Sequence, residues 1–480
     1  REAREGQPGA ARRLAQRGAG AGLLIVAVAA GADRVRWHRT RYRIGEEHVD
    51  LHTGLLLVKR RSLARSRIRT VDLTANLLLR LLGLVTVRIG TGEQGGESTL
   101  ELDPVTRAEG ERLRLLLLER AAATPPGVHR DGELATLDPR WIRYAPVSFV
   151  APMLGGAAIG AVMQISDWLG AQGEVIAWAG DRFQETPLLW VIVILVAAAL
   201  AAGTIGALGL WIEMWWNYRL EREPGGTLRV RRGLFTSRSI SVEEARLRGV
   251  DLVEPLGVRL FGAARLDAIT TGLAQDHEAK NADHNTVLPA VPRSLADSVA
   301  ADVLREAVTP TGSALTRHPR AARGRRLRWS LAAALAPVLL LTLLGVLLTP
   351  VLLWIALGLA AVSLPLAVAL ALDAYRGLGH AISGRYLVTR SGTLRRSTAA
   401  LERAGVIGWT VKQSYFQRRA GLLTVTATTA AGGGAYTAYD TDAAEGLAFA
   451  AEAVPGLLEP FLERADGAAD ERSRHKTDGP

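Results

Sequence analysis

Apolar residues in this chain fall into blocks too long and too uniform for the buried faces of soluble helices. A membrane-spanning helix needs about 20 mostly apolar residues. Four segments meet that requirement: 146–165; 187–212, with Trp190 and Trp211 near its ends; and two more within one apolar stretch, 329–372, that Pro350 divides. The stretch is too long for one helix and suits two, so the pattern predicts a hairpin turning at Thr349-Pro350. A fifth block, 18–32, is short and marginal as a span; Arg17 and Arg34 could snorkel from its ends. The competing reading is a set of core helices in a large soluble protein. Hairpin-sized pairs of blocks with charged flanks argue against it.

The charges orient the hairpins. Arg317, Arg320, Arg323, Arg325, Arg326 and Arg328 precede the long stretch, and Arg376 and Arg385 follow it, so both its ends read as cytoplasmic. The loop 170–185, with Glu174, Asp181, Arg182 and Glu185, reads as the outer side, and Trp216, Arg219 and Arg222 return inside. If 18–32 spans, then Arg1, Arg4, Arg12, Arg13 and Arg17 lie outside, against the rule. A further helix upstream of Arg1 is therefore expected. No cleavable signal peptide is recognisable.

Three polar stretches remain, and they repeat. Their boundaries read as 34–140, 217–325 and 376–470, separated by membrane hairpins at 145–216 and 328–373, with an N-terminal segment 1–33 and a disordered tail 471–480. Each opens near an aromatic-basic cluster: Tyr42-Arg43-Ile44, Tyr218-Arg219-Leu220 and Arg385-Tyr386-Leu387. A turn glycine follows at Gly54, Gly233 and Gly392, and a second at Gly83, Gly262 and Gly421, 29 residues later in all three. Arg80, Arg259 and Arg418 each stand three residues before the second glycine.

Each repeat reads as a small antiparallel β domain closed by one helix. In the first copy, 42–44 and 49–51 flank a hairpin-like break at Gly45-Glu46-Glu47. The alternation of Arg65, Arg67 and Arg69 with Ser66, Ile68 and Thr70 predicts a strand over 65–73. A short helical turn fits 76–82, ended by a left-handed Gly83. Strands at 85–89 and 99–102 precede a helix with the apolar run 113–118. The third copy follows the same order, with its helix over 442–464, and the second carries a longer connection, 271–286, before a helix at 294–307. The fold class is mixed: transmembrane α-helical hairpins plus three small α+β barrels of pleckstrin-homology-like order.

The run Arg67-Ile68-Arg69-Thr70-Val71-Asp72-Leu73, followed by Arg80-Leu81-Leu82-Gly83-Leu84-Val85-Thr86-Val87, resembles the bacterial pleckstrin-homology domain signature. Three such domains between membrane hairpins resemble the YdbT-like membrane proteins, over nearly the whole chain. The resemblance implies pleckstrin-like barrels and no established substrate. In copy three Arg67 becomes Gly405 and Asp72 becomes Thr410, which argues against one ligand shared by all copies.

Composition narrows the chemistry. Without cysteine, disulfides, thiolate zinc sites and a Cys nucleophile are excluded. A net charge of +11 suits nucleic acid or an anionic membrane surface. The charge lies beside membrane blocks and no aromatic-basic strand platform is present, so nucleic acid is set aside. Gly90-Thr91-Gly92-Glu93-Gln94-Gly95 matches a dinucleotide fingerprint literally, but a strand rather than a helix follows, which makes it a hairpin turn. His48 and His52 are four apart on a predicted strand, and Asp276-His277 and Asp283-His284 lie in a polar loop; neither is assigned a metal. Gly156 to Gly160 is a G-x-x-x-G, read as close helix packing. No catalytic residue or cofactor is assigned, and a non-enzymatic protein is expected. The candidate headgroup or partner contacts are Lys59, Arg60, Arg61, Arg65, Arg67 and Arg69 in copy one and Arg231, Arg232, Arg238, Arg246 and Arg248 in copy two. Positive-inside retention and a solvated face explain the same charges. The expected partners are membrane lipids, anionic ones included, and proteins or further copies of the chain. The expected setting is a bacterial cell membrane crossed several times, with the three domains cytoplasmic. The leading function is a membrane scaffold; the alternative is a component of a transport or export system.

Overall fold

The computed structural model describes residues 41–45, 47–53, 59–68, 70–90, 99–118, 132–148, 150–271, 285–458 and 460. The block 18–32, Gly54, Arg69, the glycine-rich loop 91–98, the Asp-His loop within 272–284 and the tail 471–480 lie outside the described residues.

Unit one holds β1 (Arg41–Ile44), β2 (His48–Thr53), β3 (Lys59–Ala64), β4 (Thr70–Ala75), α1 (Leu77–Leu81), β5 (Leu84–Gly90), β6 (Thr99–Thr106) and α2 (Arg107–Leu118). Strand β7 (Gly132–Thr136) leads to α3 (Val150–Trp168), α4 (Gln172–Phe183) and α5 (Leu188–Trp215). Unit two repeats unit one as β8 (Arg219–Glu223), β9 (Thr227–Arg232), β10 (Ser237–Glu243), β11 (Leu247–Pro255), α6 (Leu256–Leu260), β12 (Ala263–Thr270), β13 (Thr286–Pro292) and α7 (Arg293–Leu304). Helices α8 (Arg320–Leu347) and α9 (Val351–Arg376) follow. Unit three is β14 (Gly379–Ser383), β15 (Tyr386–Ser391), β16 (Arg395–Glu402), β17 (Val406–Lys412), α10 (Tyr415–Arg419), β18 (Leu422–Thr429), β19 (Ala435–Asp442) and α11 (Ala443–Ala453). The second repeat glycine takes the left-handed conformation in every unit, with φ of 68°, 66° and 63° at Gly83, Gly262 and Gly421.

The alternating run predicted as a strand over 65–73 is instead a 3-10 turn at Arg65–Arg67 between two strands. The reason lies in what Arg65 does. Its guanidinium donates to the carbonyl of Leu116 at the end of α2, where a cation meets unpaired carbonyls and the negative end of the helix dipole. Arg403, at the same place in unit three, donates to Glu452 O (2.7 Å) and Ala453 O at the end of α11. Unit two reverses the polarity: Glu244 accepts from Arg305, the residue capping α7, at 2.7 Å.

Among the described residues no unit closes its strands into a barrel, contrary to the barrel expected from the element order. Each unit splits after its third strand, and the halves of neighbouring units fuse. One seven-stranded sheet runs β6-β5-β4-β10-β9-β8-β7, and one six-stranded sheet runs β13-β12-β11-β16-β15-β14. The leftover halves, β1-β2-β3 and β17-β18-β19, stand at the two ends of the array. The joints are antiparallel: Ser239 opposes Leu73 at the first and Thr398 opposes Leu252 at the second. The apolar residues of β4 and β11 that cross each joint are buried, Val71, Val250 and Leu252 completely.

Each joint also carries an aspartate at one repeat position, Asp72 buried and Asp251 half-buried. Asp251 on β11 accepts from Ser397 of unit three. Asp72 on β4 lies opposite Arg88 on β5, and burial pushes its carboxyl up to about 7, with Arg88 only partly opposing the shift. A carboxyl raised in this way binds its proton more tightly when folded. It therefore destabilises the fold progressively as pH rises from the ordinary aspartate range to about 7. Asp72→Asn is expected to remove that slope and to raise stability at pH 8 by on the order of 2 kcal/mol, measured by denaturant titration at pH 5 and pH 8.

Helices α3, α5, α8 and α9 are long and apolar enough to cross a membrane. The turn between α8 and α9 falls at Thr349-Pro350, as the sequence pattern predicts. Helices α3 and α5 approach closely, but not through Gly156 and Gly160, beside which a Cβ would meet nothing. Gly155 and Gly203 make the contact: a Cβ on either would overlap the backbone of the facing helix, at Ala199 and Ala151 respectively. The segment 170–185, expected as a loop, contains α4, which leaves Ile176 and Trp178 exposed. Inside the second hairpin Ser330 donates to Ala367 O of the facing helix and Thr342 to Val338 O of its own, each at 2.8 Å.

Candidate membrane-apposed interface

The ends of the spanning helices are bonded directly to the fused sheets. Glu213, near the end of α5, accepts from the backbone N–H groups of Phe235 (2.9 Å) and Thr236 (3.0 Å), in the turn joining β9 to β10. Asp373, near the end of α9, takes Arg259 of α6 at 2.6 Å and Arg396 of β16 at 3.0 Å. Gly257 of α6 lies so close to the chain entering α3 that a Cβ would overlap Val147 O. The third short helix, α10, is capped by Ala420, which packs, as do Ala321 of α8 and Tyr375, against the cluster of Ala322, Leu378 and Leu422. The short helices and the strand turns beside them therefore lie at the level where the spans leave the membrane.

At that level all three short helices show large apolar side chains to the outside. On α1 they are Leu77, Leu78, Leu81 and Leu82; at α6, Leu260 and Phe261; on α10, Tyr415 and Phe416. Leu81 is 77% exposed, Leu260 76% and Phe416 65%. The turn tips add Phe235 and Leu394, both exposed. Exposed apolar clusters of this size mark interaction surfaces. Here the clusters recur at one place in each unit and adjoin the spans. The sequence signal was present in Leu77-Leu78-Leu79 and Tyr415-Phe416, but only the placement of the helix ends gives it meaning.

The same short helices carry the repeat arginines, and these have a shared structural use. Arg80 donates across the first joint to Leu234 O at 2.7 Å, and Arg259 across the second to Thr393 O at 3.2 Å. Both acceptors directly follow the turn glycines Gly233 and Gly392, which have φ of 112° and 102°.

Four of the eleven predicted headgroup contacts are drawn into the array. Arg65 caps α2. Arg232 is buried, its guanidinium 4.4 Å from the Trp215 ring centroid. Arg246 bonds Glu243 and, at 2.7 Å, Ile68 O of unit one. Arg248 pairs with Glu402 of unit three at 2.9 Å. Arg231 and Arg238 are half-buried on β9 and β10, Arg60 is exposed and Arg61 half-buried on β3. The side chains of Lys59 and Arg67 lie outside the described residues. Arg229, in the same basic stretch of unit two, sits in a buried network with Arg114, Glu111 and Glu223. His48 and His52 are exposed on β2, opposite Ala64 and Arg60, and no three metal-binding side chains cluster among the described residues. A buried pair that sequence spacing does not reveal, His318 and His380, joins the base of α8 to β14 with the two rings 3.1 Å apart, nitrogen to nitrogen. Burial lowers both, His380 to about 4.

Comparison with known proteins agrees with this architecture. The bacterial PH domain family matches residues 10–121, 157–307 and 332–451, one match for each unit. The transmembrane protein YdbT of Bacillus subtilis (strain 168) is 20% identical over 269 residues, covering 52% of this chain and 53% of that protein. The chain thus spans about half the length of the curated relative it matches. No solved structure matches. With family matches covering most of its length and four helices fit to cross a bilayer, the chain belongs to the bacterial PH domain family and is a multi-pass membrane protein of YdbT-like organisation.

Proposed function

We propose that the protein is a non-enzymatic membrane scaffold whose three units lie flat on the cytoplasmic face of the bacterial cell membrane. The observation that carries this reading is the row of exposed apolar tips on α1, α6 and α10, level with the ends of the spans. Dipped into the headgroup layer, they would hold the array against the lipid, as interfacial helices do. Exposed arginines on the same rim, Arg395 and Arg418 among them, would favour anionic headgroups by about 1 kcal/mol each. The opposite surface would then be open to partner proteins. The Lys/Arg bias around α8 and α9 supports the cytoplasmic side. A transport role gains no observation of its own.

The chain has no cysteine, so single labels can be placed cleanly. Leu81→Cys, Phe261→Cys and Phe416→Cys, spin-labelled in the full chain in lipid nanodiscs, are expected to sit at headgroup depth by oxygen and nickel-complex accessibility. A label at exposed Ala448→Cys on α11 is expected to be fully aqueous. Three short-helix labels as aqueous as the control would refute the reading. Equal depth in neutral and anionic lipid would refute its anionic part.

A further inference from the structure

The two internal joints are the same joint. Leu73, Leu252 and Val411 stand ten residues before the second repeat glycine of their units, and Arg60, Ser239 and Thr398 stand six after the first. Ser239 opposes Leu73 in the first joint and Thr398 opposes Leu252 in the second, so the register is identical. What pairs each time is the fourth strand of one unit and the third strand of the next. After two joints the array still has one of each left over. β17 is the edge of its sheet at one end, and β3 is the edge of its sheet at the other.

We infer that β17 of one molecule pairs with β3 of a second copy of this chain, in the register of the internal joints. Arg60 of the second copy would then oppose Val411, and Ser62 would oppose Trp409. Sheet-edge addition of this kind takes its affinity from main-chain hydrogen bonds. Because the two edges differ, the contact is head-to-tail and generates rows or rings of molecules in one membrane. This deepens the scaffold reading by naming a partner, but rests on strand register and not on how deeply the apolar tips sit.

Three features of unit three are otherwise unexplained. Val411 is 41% exposed, whereas its equivalents Leu73 and Leu252 are buried by the joint. Gly408 has open space where a Cβ would be, yet its equivalent Gly249 must be glycine because Ala400 of the next unit presses on it. Both glycines sit at a bulge in their own sheet; in unit one the position is Thr70, which has none. Arg80, itself exposed, and Arg259 cross the joints to the next unit's turn, whereas Arg418 has no next unit beside it. One feature opposes pairing: the register sets Lys59 of the second copy against Lys412, a like-charged pair of the kind that guards sheet edges. Assembly should therefore strengthen with salt.

The test uses the full chain reconstituted in lipid vesicles. Arg60→Cys and Val411→Cys variants, mixed and oxidised, are expected to form a disulfide-linked dimer that neither forms alone. The double variant is expected to give a ladder of multimers. Arg60→Cys with Thr410→Cys, one residue out of register and on the other face, is expected to give none. Gly408→Val, which meets no clash within a single chain, is expected to abolish the ladder without changing thermal stability. Lys412→Glu, which places opposite charges together, is expected to raise the linked fraction about twofold to fivefold. Crosslinking in the mixture no greater than in the out-of-register pair, or unaltered by both Gly408→Val and Lys412→Glu, overturns the inference.

Discussion

Replacing Gly249 by valine will part the third unit from the second. Gly249 lies on β11 where β16 of the next unit crosses it, and a Cβ there would overlap the carbonyl oxygen of Ala400 and crowd Leu401. Backbone cannot yield as a flexible side chain can. The valine must push β16 away and break ladder hydrogen bonds along the seven register pairs from Gly249↔Leu401 to Pro255↔Arg395. Overpacking of this type costs about 2–4 kcal/mol. The expected readout is a lower denaturation midpoint in detergent and a separate, earlier unfolding transition of unit three. Gly408→Val is the internal control. It makes the same change at the equivalent position, where no neighbour lies within 4 Å, and should leave stability within about 0.5 kcal/mol. Equal effects of the two substitutions would mean that the glycine serves the local bulge and not the joint.

Arg114→Ala should loosen the first joint by about 3–5 kcal/mol. Arg114 projects from α2 of unit one into unit two, with its side chain 4% exposed. It binds Glu223 of β8 at 2.6 Å and Glu111 of its own helix at 3.1 Å. Arg229 of β9 completes the group, meeting Glu223 at 3.0 Å and donating to Ser239 Oγ at 2.8 Å. Burial works against ionisation of both glutamates, but the hydrogen bonds and charges of Arg229 and Arg114 outweigh it and hold them below the usual range. Their contribution is thus present above the ordinary glutamate pKa and is lost as pH falls through the lowered values. Alanine at 114 leaves two half-buried carboxylates to one arginine. The loss should be largest near neutral pH and shrink in acid as the glutamates take protons, by denaturant titration from pH 7 to pH 4. Arg112→Ala, on the same helix but with a side chain 71% exposed, should change stability by less than about 0.5 kcal/mol. If Arg112→Ala proves as harmful as Arg114→Ala, the buried network does not account for the loss.

The candidate interface was legible only in pieces. Asn76, whose side chain accepts from Leu79 N, announces α1, and Ser414 with Gln417 forms a capping box on α10. Both are local signals that a sequence carries in full. What these helices adjoin depends on contacts such as Glu213 with Thr236 and Arg259 with Asp373, which no spacing reveals. The basic run 65–69 was misread for a related reason. Its alternation satisfies a strand's period, but the long-range bond from Arg65 to Leu116 O outweighs that preference and bends the chain. Among the arginines expected to meet headgroups, Arg246 and Arg248 bond groups of a neighbouring unit, Ile68 O and Glu402, because a guanidinium drawn into the protein must be paired.

From the sequence alone follow the four spans, the turn at Thr349-Pro350 and the three copies with their two glycines and arginine. All rest on apolar block length or on short-range backbone conformation, which neighbouring residues determine. The tertiary structure alone decided that, among the described residues, no unit closes its own barrel and that strands are shared between units. A β-ladder is made by backbone groups common to every residue, so the residues of β4 suit β10 as well as they would a strand of their own unit. Which edge arrives is a matter of geometry among units, and the sequence records it only in the few places, such as Gly249 and Arg259, where a side chain had to make way or reach across.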